Sequence, residues 1–382
     1  MNKATVRNLG LSVGSVVLAL TALAVGIKWY ADVLEIYDPS FRYENKIGMW
    51  RPDASIGFVN KNNFHDYAWG NVPIITDDRG FRAARIPGQA AGEGVHRIIG
   101  VGDSVMWGAG VRVEDSFLGL LQEKLNQHQS YEVMNAGVVG YSTYQELLFL
   151  EKYGFALKPD IVLINYCFND MLPTEDPFGN VRQIYSDYLS GLLLDKKGTL
   201  TLEMRRNYGD LIRILDSTQP VWTSIEAWKG ESLERAKILR QVLVETPIAR
   251  MAELSKRLNT RLIYILIPTG VPISRFDEEL EELKTFLEST GIEFLDMRPD
   301  LRSVVKDSHA QGRTHQHRFE WLWRWKLRQI LLLWRIDSIH RNQWFLDPSH
   351  PTRKGNQLIA ERLYRRLREP PCLMTAQQGC TE

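Results

Sequence analysis

Four short motifs in the 382-residue chain carry side chains that together suit acyl transfer. Gly102-Asp103-Ser104 supplies a hydroxyl. Asp347-Pro348-Ser349-His350-Pro351 supplies an imidazole with an acid three residues ahead of it in a proline-constrained loop. A serine nucleophile needs a base to take its proton, and the base needs an acid that sets its tautomer and stabilises the imidazolium. Ser104, His350 and Asp347 are the matching hydroxyl, base and acid. Attack on a carbonyl also builds negative charge on oxygen, which preorganised N–H donors stabilise. Two motifs offer such donors: Asn135-Ala136-Gly137-Val138-Val139-Gly140-Tyr141-Ser142 through the backbone of Gly140, and Asn169-Asp170 through the Asn169 amide. Each motif alone has a plainer reading. Gly-Asp-Ser is a common turn and helix N-cap, His350 a capping or packing residue, Gly140 a tight turn and Asn169 a cap. Three of the motifs follow successive strand patterns and the fourth precedes the last helix, which argues for one common site.

The elements that must position these groups are legible as alternating periods. An apolar run at 97–101 ends at Gly102, and an amphipathic stretch follows at 117–125. The pattern repeats with a strand at 131–136, a helix at 143–153 and an Ile-Val-Leu-Ile strand at 160–166. A helical period at 233–258, a strand at 261–268, a helix at 276–289, a short strand at 293–297 and a last helix at 354–367 complete it. Alternating strand and helix predict a parallel sheet covered on both faces, whose ligand crevice lies at the carboxyl ends of the strands. Residues 29–90 read as a lead-in of loops and short strands, with a turn at Asp77, Asp78 and Gly80. The stretches at about 171–230 and 303–342 break the rhythm as insertions, and 369–382 reads as a tail.

Composition excludes several classes. With 47 Lys+Arg against 46 Asp+Glu, a net charge of +1, no global field favours nucleic acid. Cys167, Cys372 and Cys380 form neither a disulfide framework nor a zinc pattern. Cys167 ends an apolar strand as an inert buried thiol, whereas Cys372 and Cys380 could close a small loop outside the cytosol. The run from Asn8 to Ile27 holds no charge and spans about 30 Å as a helix, one bilayer core. Lys3 and Arg7 precede it, which keeps that end cytosolic and exports the rest; Ala22-Leu23-Ala24 leaves a cleaved signal peptide as the alternative to an anchor. Residues 319–336 place Arg324, Arg328 and Arg335 on one helical stripe and Phe319, Trp323, Leu327, Ile330 and Trp334 on another. That stretch is either a helix lying on the bilayer or a cap packed on the domain. His309, His315 and His317 read as a solvated loop rather than a metal site.

The four motifs, in their order over about 96–367, resemble the GDSL-type, or SGNH, hydrolases. The resemblance implies a flavodoxin-like three-layer α/β/α sandwich and a serine esterase or acyl-handling activity without a cofactor. It makes Ser104 the nucleophile, completes the triad with Asp347 and His350, and builds the oxyanion hole from Gly140, Asn169 and the Ser104 N–H. It also leaves Phe168 beside Trp107 as an acyl or sugar pocket lining. The resulting expectation is an exported, single-pass enzyme acting on acyl esters of carbohydrate or envelope material. An envelope polysaccharide O-acyltransferase, a lipid esterase and a catalytically silent envelope binding protein remain as alternatives.

Overall fold

The computed structural model describes Thr21 and residues 48–68, 72–83, 94–167, 169–171, 173, 175–194, 240–269, 274–304, 344–346 and 350–368. The chain divides into two compact units, Met1–Gly48 and Met49–Glu382, and the second holds all the described strands and the helices that surround them. Two antiparallel hairpins come first: β1 (Trp50–Asp53) with β2 (Gly57–Asn60), and β3 (His65–Ala68) with β4 (Val72–Ile75). Then β5 (His96–Val101) leads into the short helix α1 (Ser104–Trp107) and α2 (Phe117–Leu125), and β6 (Tyr131–Asn135) into α3 (Thr143–Phe149). β7 (Ile161–Tyr166) is followed by α4 (Val181–Leu194), and α5 (Thr246–Arg257) by β8 (Arg261–Leu266). α6 (Ser274–Thr290), β9 (Glu293–Asp296) and α7 (Arg353–Arg368) complete the described elements.

The five strands β5 to β9 pair in the order β6-β5-β7-β8-β9, parallel throughout. Counted from β5 this is 2-1-3-4-5, the flavodoxin-like order, and its direction of winding reverses between β5 and β7. Successive strand residues face opposite layers. Ile98, Leu163, Ile263, Ile265 and Leu295 share one core cluster with Phe117 and Leu121 of α2 and Ile359 and Leu363 of α7. Burying side chains of this size contributes about 1.5–3 kcal/mol each. On the other face α5 packs on α3 and β8, with the Tyr264 hydroxyl donating to Met251 Sδ across 3.7 Å. The helix expected at 143–153 is α-helical only to Phe149 and passes into a π-helical turn, Leu150–Gly154.

Residues 49–83 belong to the same unit as the sheet. Asn60 Nδ2 donates to Gly137 O at 3.0 Å, Gln145 Nε2 to Ile56 O at 3.0 Å and the Tyr141 hydroxyl to Phe58 O. Lys152 Nζ reaches Asp53 at 2.8 Å. The expected turn at Asp77 is present, with Asp77 Oδ1 accepting from the backbone of Arg79 and Phe81 and Gly80 at φ +87°. Among the described residues no helix is long and apolar enough to cross a membrane. Apart from Thr21, the N-terminal apolar run lies outside the described residues, as do the stripe at 319–336, the three histidines before it, most of both insertions and the tail.

Candidate active site

Ser104 is the first residue of α1, at the carboxyl end of β5. The N-cap reading of Gly-Asp-Ser holds, on Asp103 rather than on Ser104. Asp103 is the N-cap, its Oδ1 accepting from Val105 N at 2.9 Å and from Asn165 Nδ2 at 3.0 Å, and this cap fixes the start of the helix on which Ser104 sits. Gly102 leaves no room for a side chain, since a Cβ there would collide with Asn165 Oδ1 and stand 2.7 Å from Met106 Cβ. Strand, cap and helix therefore hold the Ser104 hydroxyl at the sheet edge, where the residue is 7% exposed.

His350 arrives from the far end of the chain. Residues 344–346 double back on 350–352: Phe345 bridges Pro351, Leu346 N donates to His350 O at 2.7 Å and Thr352 N donates to Trp344 O at 2.8 Å. Asn356, buried in the first turn of α7, ties this hairpin to the sheet domain. Its Nδ2 donates to Pro351 O and Thr352 O, each at 2.9 Å, and its Oδ1 accepts from Phe117 N at 2.9 Å. Thus anchored, His350 Nε2 stands 2.8 Å from Ser104 Oγ. The hydroxyl donates to Nε2 when the ring proton is on Nδ1, the tautomer a carboxylate at Nδ1 enforces. Asp347, the residue expected to do so, lies outside the described residues.

The other expected residues sit on the loops after β6 and β7, the two strands that flank β5. Gly140 has φ +88°, which a residue with a side chain adopts only under strain, so its backbone N–H faces a direction that glycine alone supplies cheaply. Asn169 is 9% exposed, and its neighbour Asp170 is fully buried. Asp170 joins the two loops, its backbone carbonyl accepting from Thr143 N at 2.8 Å and its Oδ2 from Cys167 N at 2.7 Å. Cys167 is buried and forms no disulfide, as expected. The structure thus brings Ser104 and His350 into contact and places Gly140 and Asn169 at the same sheet edge. Trp107, expected to line a pocket with Phe168, is instead fully buried under Arg82, and Phe168 lies outside the described residues.

Two features escape a reading of the sequence. Glu146 on α3 is fully buried beneath this edge, near Asp103 and Asp170, and neither of its carboxyl oxygens has a hydrogen-bond partner. Burial, then the charge of Asp103, pushes Glu146 well above the usual carboxylate range. Burial, then Glu146 and Asp103, does the same to Asp170. Arg82 is 4% exposed and donates to the carbonyls of Trp107, Gly108 and Val111, at the exit of the helix that begins at Ser104, while its guanidinium lies 5.2 Å from the Trp107 ring. Burial pushes Arg82 down to about 9, so it is still cationic at neutral pH. An Arg in a loop-rich stretch has no sequence signature; only the tertiary contact reveals it. Among the described residues no group of three or more His, Cys, Asp or Glu side chains is placed to hold a metal ion.

The model of the GDSL-like lipase/acylhydrolase family matches residues 101–358, more than half of the chain. The protein belongs to this family. As a GDSL-like acylhydrolase it is an ester hydrolase. No curated protein sequence matches the chain. Among solved structures, the acetyl xylan esterase AlAXEase aligns at 14% identity and a TM-score of 0.40, covering 71% of this chain and 99% of that one. A catalytic variant of Axe2, an acetylxylan esterase from Geobacillus stearothermophilus, aligns at 15% identity and a TM-score of 0.39, covering 74% and 98%. A protein of the G-D-S-L family from Desulfitobacterium hafniense DCB-2 aligns at 14% and 0.35, covering 70% and 98%.

Proposed function

We propose that this GDSL-like acylhydrolase is an exported, membrane-anchored serine esterase that removes acyl groups from carbohydrate or other envelope material through an acyl-enzyme. The observation that carries the proposal is the 2.8 Å contact between Ser104 Oγ and His350 Nε2, made by residues 246 positions apart. In the first half-reaction Ser104 Oγ attacks the ester carbonyl while His350 takes its proton. The resulting oxyanion accepts hydrogen bonds from the N–H groups of Ser104 and Gly140 and from Asn169 Nδ2. Collapse expels the alcohol, which leaves with the proton from His350, and the acyl group stays on Ser104. Water, deprotonated by the same imidazole, then releases the carboxylic acid and restores the hydroxyl. Asp347 holds His350 with its proton on Nδ1 and stabilises the imidazolium in both halves.

Labelling with a fluorophosphonate probe tests the chemistry: wild type should label and Ser104→Ala should not, and equal absence of labelling in both would refute it. Hydrolysis of acetyl, butyryl and longer p-nitrophenyl esters and of acetylated glycans tests the substrate class. Export rests on the charge-free run from Asn8 to Ile27 behind Lys3 and Arg7. A C-terminal reporter active only in the cytosol would overturn it.

A further inference from the structure

The hairpin that carries His350 has two faces. Its bridge sets Phe345 opposite Pro351, and the hydrogen bonds on either side of the bridge set Leu346 opposite His350. Residues opposite each other on paired strands share a face, and neighbours along a strand alternate, so Leu346 projects with His350 and away from Phe345. Phe345 and Pro351 form the inner pair: both are buried, Phe345 within the core cluster of α2 and α7. Leu346 and His350 form the outer pair, and on this face the His350 ring reaches Ser104 Oγ at 2.8 Å. Opposite Cβ atoms stand about 4.5–5.5 Å apart, which sets the leucine side chain beside the imidazole.

A second contact places Leu346 independently of the pairing. A Cβ on Gly110 would collide with Leu346 Cδ1, so the leucine rests on Gly110. Gly110 lies two residues beyond Gly108, the left-handed cap of α1, and Ala109 between them donates its N–H to Ser104 O at 2.9 Å. Leu346 thus touches the segment that closes the helix beginning at Ser104 and pairs with the residue that supplies the imidazole. It is nonetheless 37% exposed, where Phe345 is 1% exposed. Single exposed leucines are common and need no function. This one is held at the rim of the Ser104–His350 contact.

Proton transfer decides which half of an ester meets it. In the acyl transfer proposed above, on which this inference rests, His350 Nε2 gives its proton to the departing alcohol oxygen, so that oxygen comes within hydrogen-bond reach of the ring. The acyl carbon is bonded to Ser104 Oγ, and its oxyanion is turned to the loops after β6 and β7. The alcohol carbons therefore leave on the His350 side, beside Leu346. We propose that Leu346 is the leaving-group contact of this esterase and favours esters of alcohols that present an apolar ring face over esters of small alcohols.

Two isomeric esters test it against methyl acetate. Cyclohexylmethyl acetate carries the added ring on the alcohol, and methyl cyclohexylacetate carries the same ring on the acyl group. The readout is kcat/KM, which reports acylation, the step in which the alcohol is present. Wild type should favour cyclohexylmethyl acetate over methyl acetate. Leu346→Ala should lower that preference at least about four-fold, the worth of one buried methylene group, and Leu346→Met should retain most of it. Neither variant should alter the ratio of methyl cyclohexylacetate to methyl acetate, and thermal unfolding checks that both are folded. Absence of the alcohol-side preference in wild type overturns the proposal, as does its persistence in Leu346→Ala or an equal fall in the acyl-side ratio. Failure of wild type to hydrolyse any of the three esters overturns it too, and fluorophosphonate labelling at Ser104 then shows whether the serine esterase reading falls with it.

Discussion

Replacing Arg82 by methionine keeps the apolar stem of the side chain and removes its guanidinium. Three carbonyls then lose a donor: Trp107 O, Gly108 O and Val111 O. Asn135 Nδ2 still serves Trp107 O and Val111 N still serves Gly108 O, each at 3.3 Å, leaving Val111 O orphaned. An orphaned carbonyl costs about 1–3 kcal/mol. Loss of the contact with the Trp107 ring adds about 0.5–2 kcal/mol. Against this, burial disfavours the cation, and its removal returns part of that penalty. The net loss is about 1–3 kcal/mol, which for a unit of this size lowers the unfolding midpoint by roughly 1–4 °C. The same carbonyls end the helix that begins at Ser104, and a misplacement of about 1 Å at a nucleophile costs on the order of 10² in rate. Thermal unfolding and p-nitrophenyl acetate turnover measure the two effects. Arg82→Lys should fall between wild type and Arg82→Met, because a point charge cannot reach three carbonyls at once. Unfolding and turnover equal to wild type in Arg82→Met would refute the reasoning, and with it the claim that residues ahead of the family-matched region help build the site.

Asn169→Ala should lower kcat by on the order of 10²–10³ with little change in KM, if its amide serves the oxyanion; unchanged ester kinetics would remove that role. Glu146→Gln keeps the shape of a buried carboxyl that is held well above its ordinary value by burial. A folded-state value raised above the unfolded one means that the carboxyl contributes stability at low pH that is lost as pH rises towards the folded-state value. The unfolding midpoint of wild type should therefore drop relative to Glu146→Gln as pH rises above the ordinary carboxylate value, and parallel curves there would contradict it. Gly355→Ala makes a Cβ collide with Trp344 O and stand 2.9 Å from Pro351 Cβ, so the hairpin that carries His350 must shift. Turnover should fall at least about ten-fold, although alanine is normally worth about 1 kcal/mol over glycine in a helix. Retained turnover would show that the hairpin yields without moving the imidazole.

Local periodicity and turn chemistry are enough to specify most of the sheet domain. The helix expected at 117–125 is α2, the strand expected at 160–166 is β7, and the helix expected at 354–367 lies within α7, because amphipathic spacing and buried apolar runs are properties of neighbours in the chain. The same patterns put Ser104, Gly140 and Asn169 at strand ends, and strand ends of a parallel sheet share one edge. Contacts between residues far apart in sequence leave no such trace. The 2.8 Å approach of His350 to Ser104 depends on a hairpin at 344–352 and on Asn356 reaching α2. The clamp at Arg82 and a cavity lined by Asn60 depend on a lead-in whose short strands carry no amphipathic period. Which residues could perform the chemistry is a matter of side-chain type and order, which the chain states directly. How they are held, desolvated and charged is decided by packing between distant segments, and no local pattern encodes it.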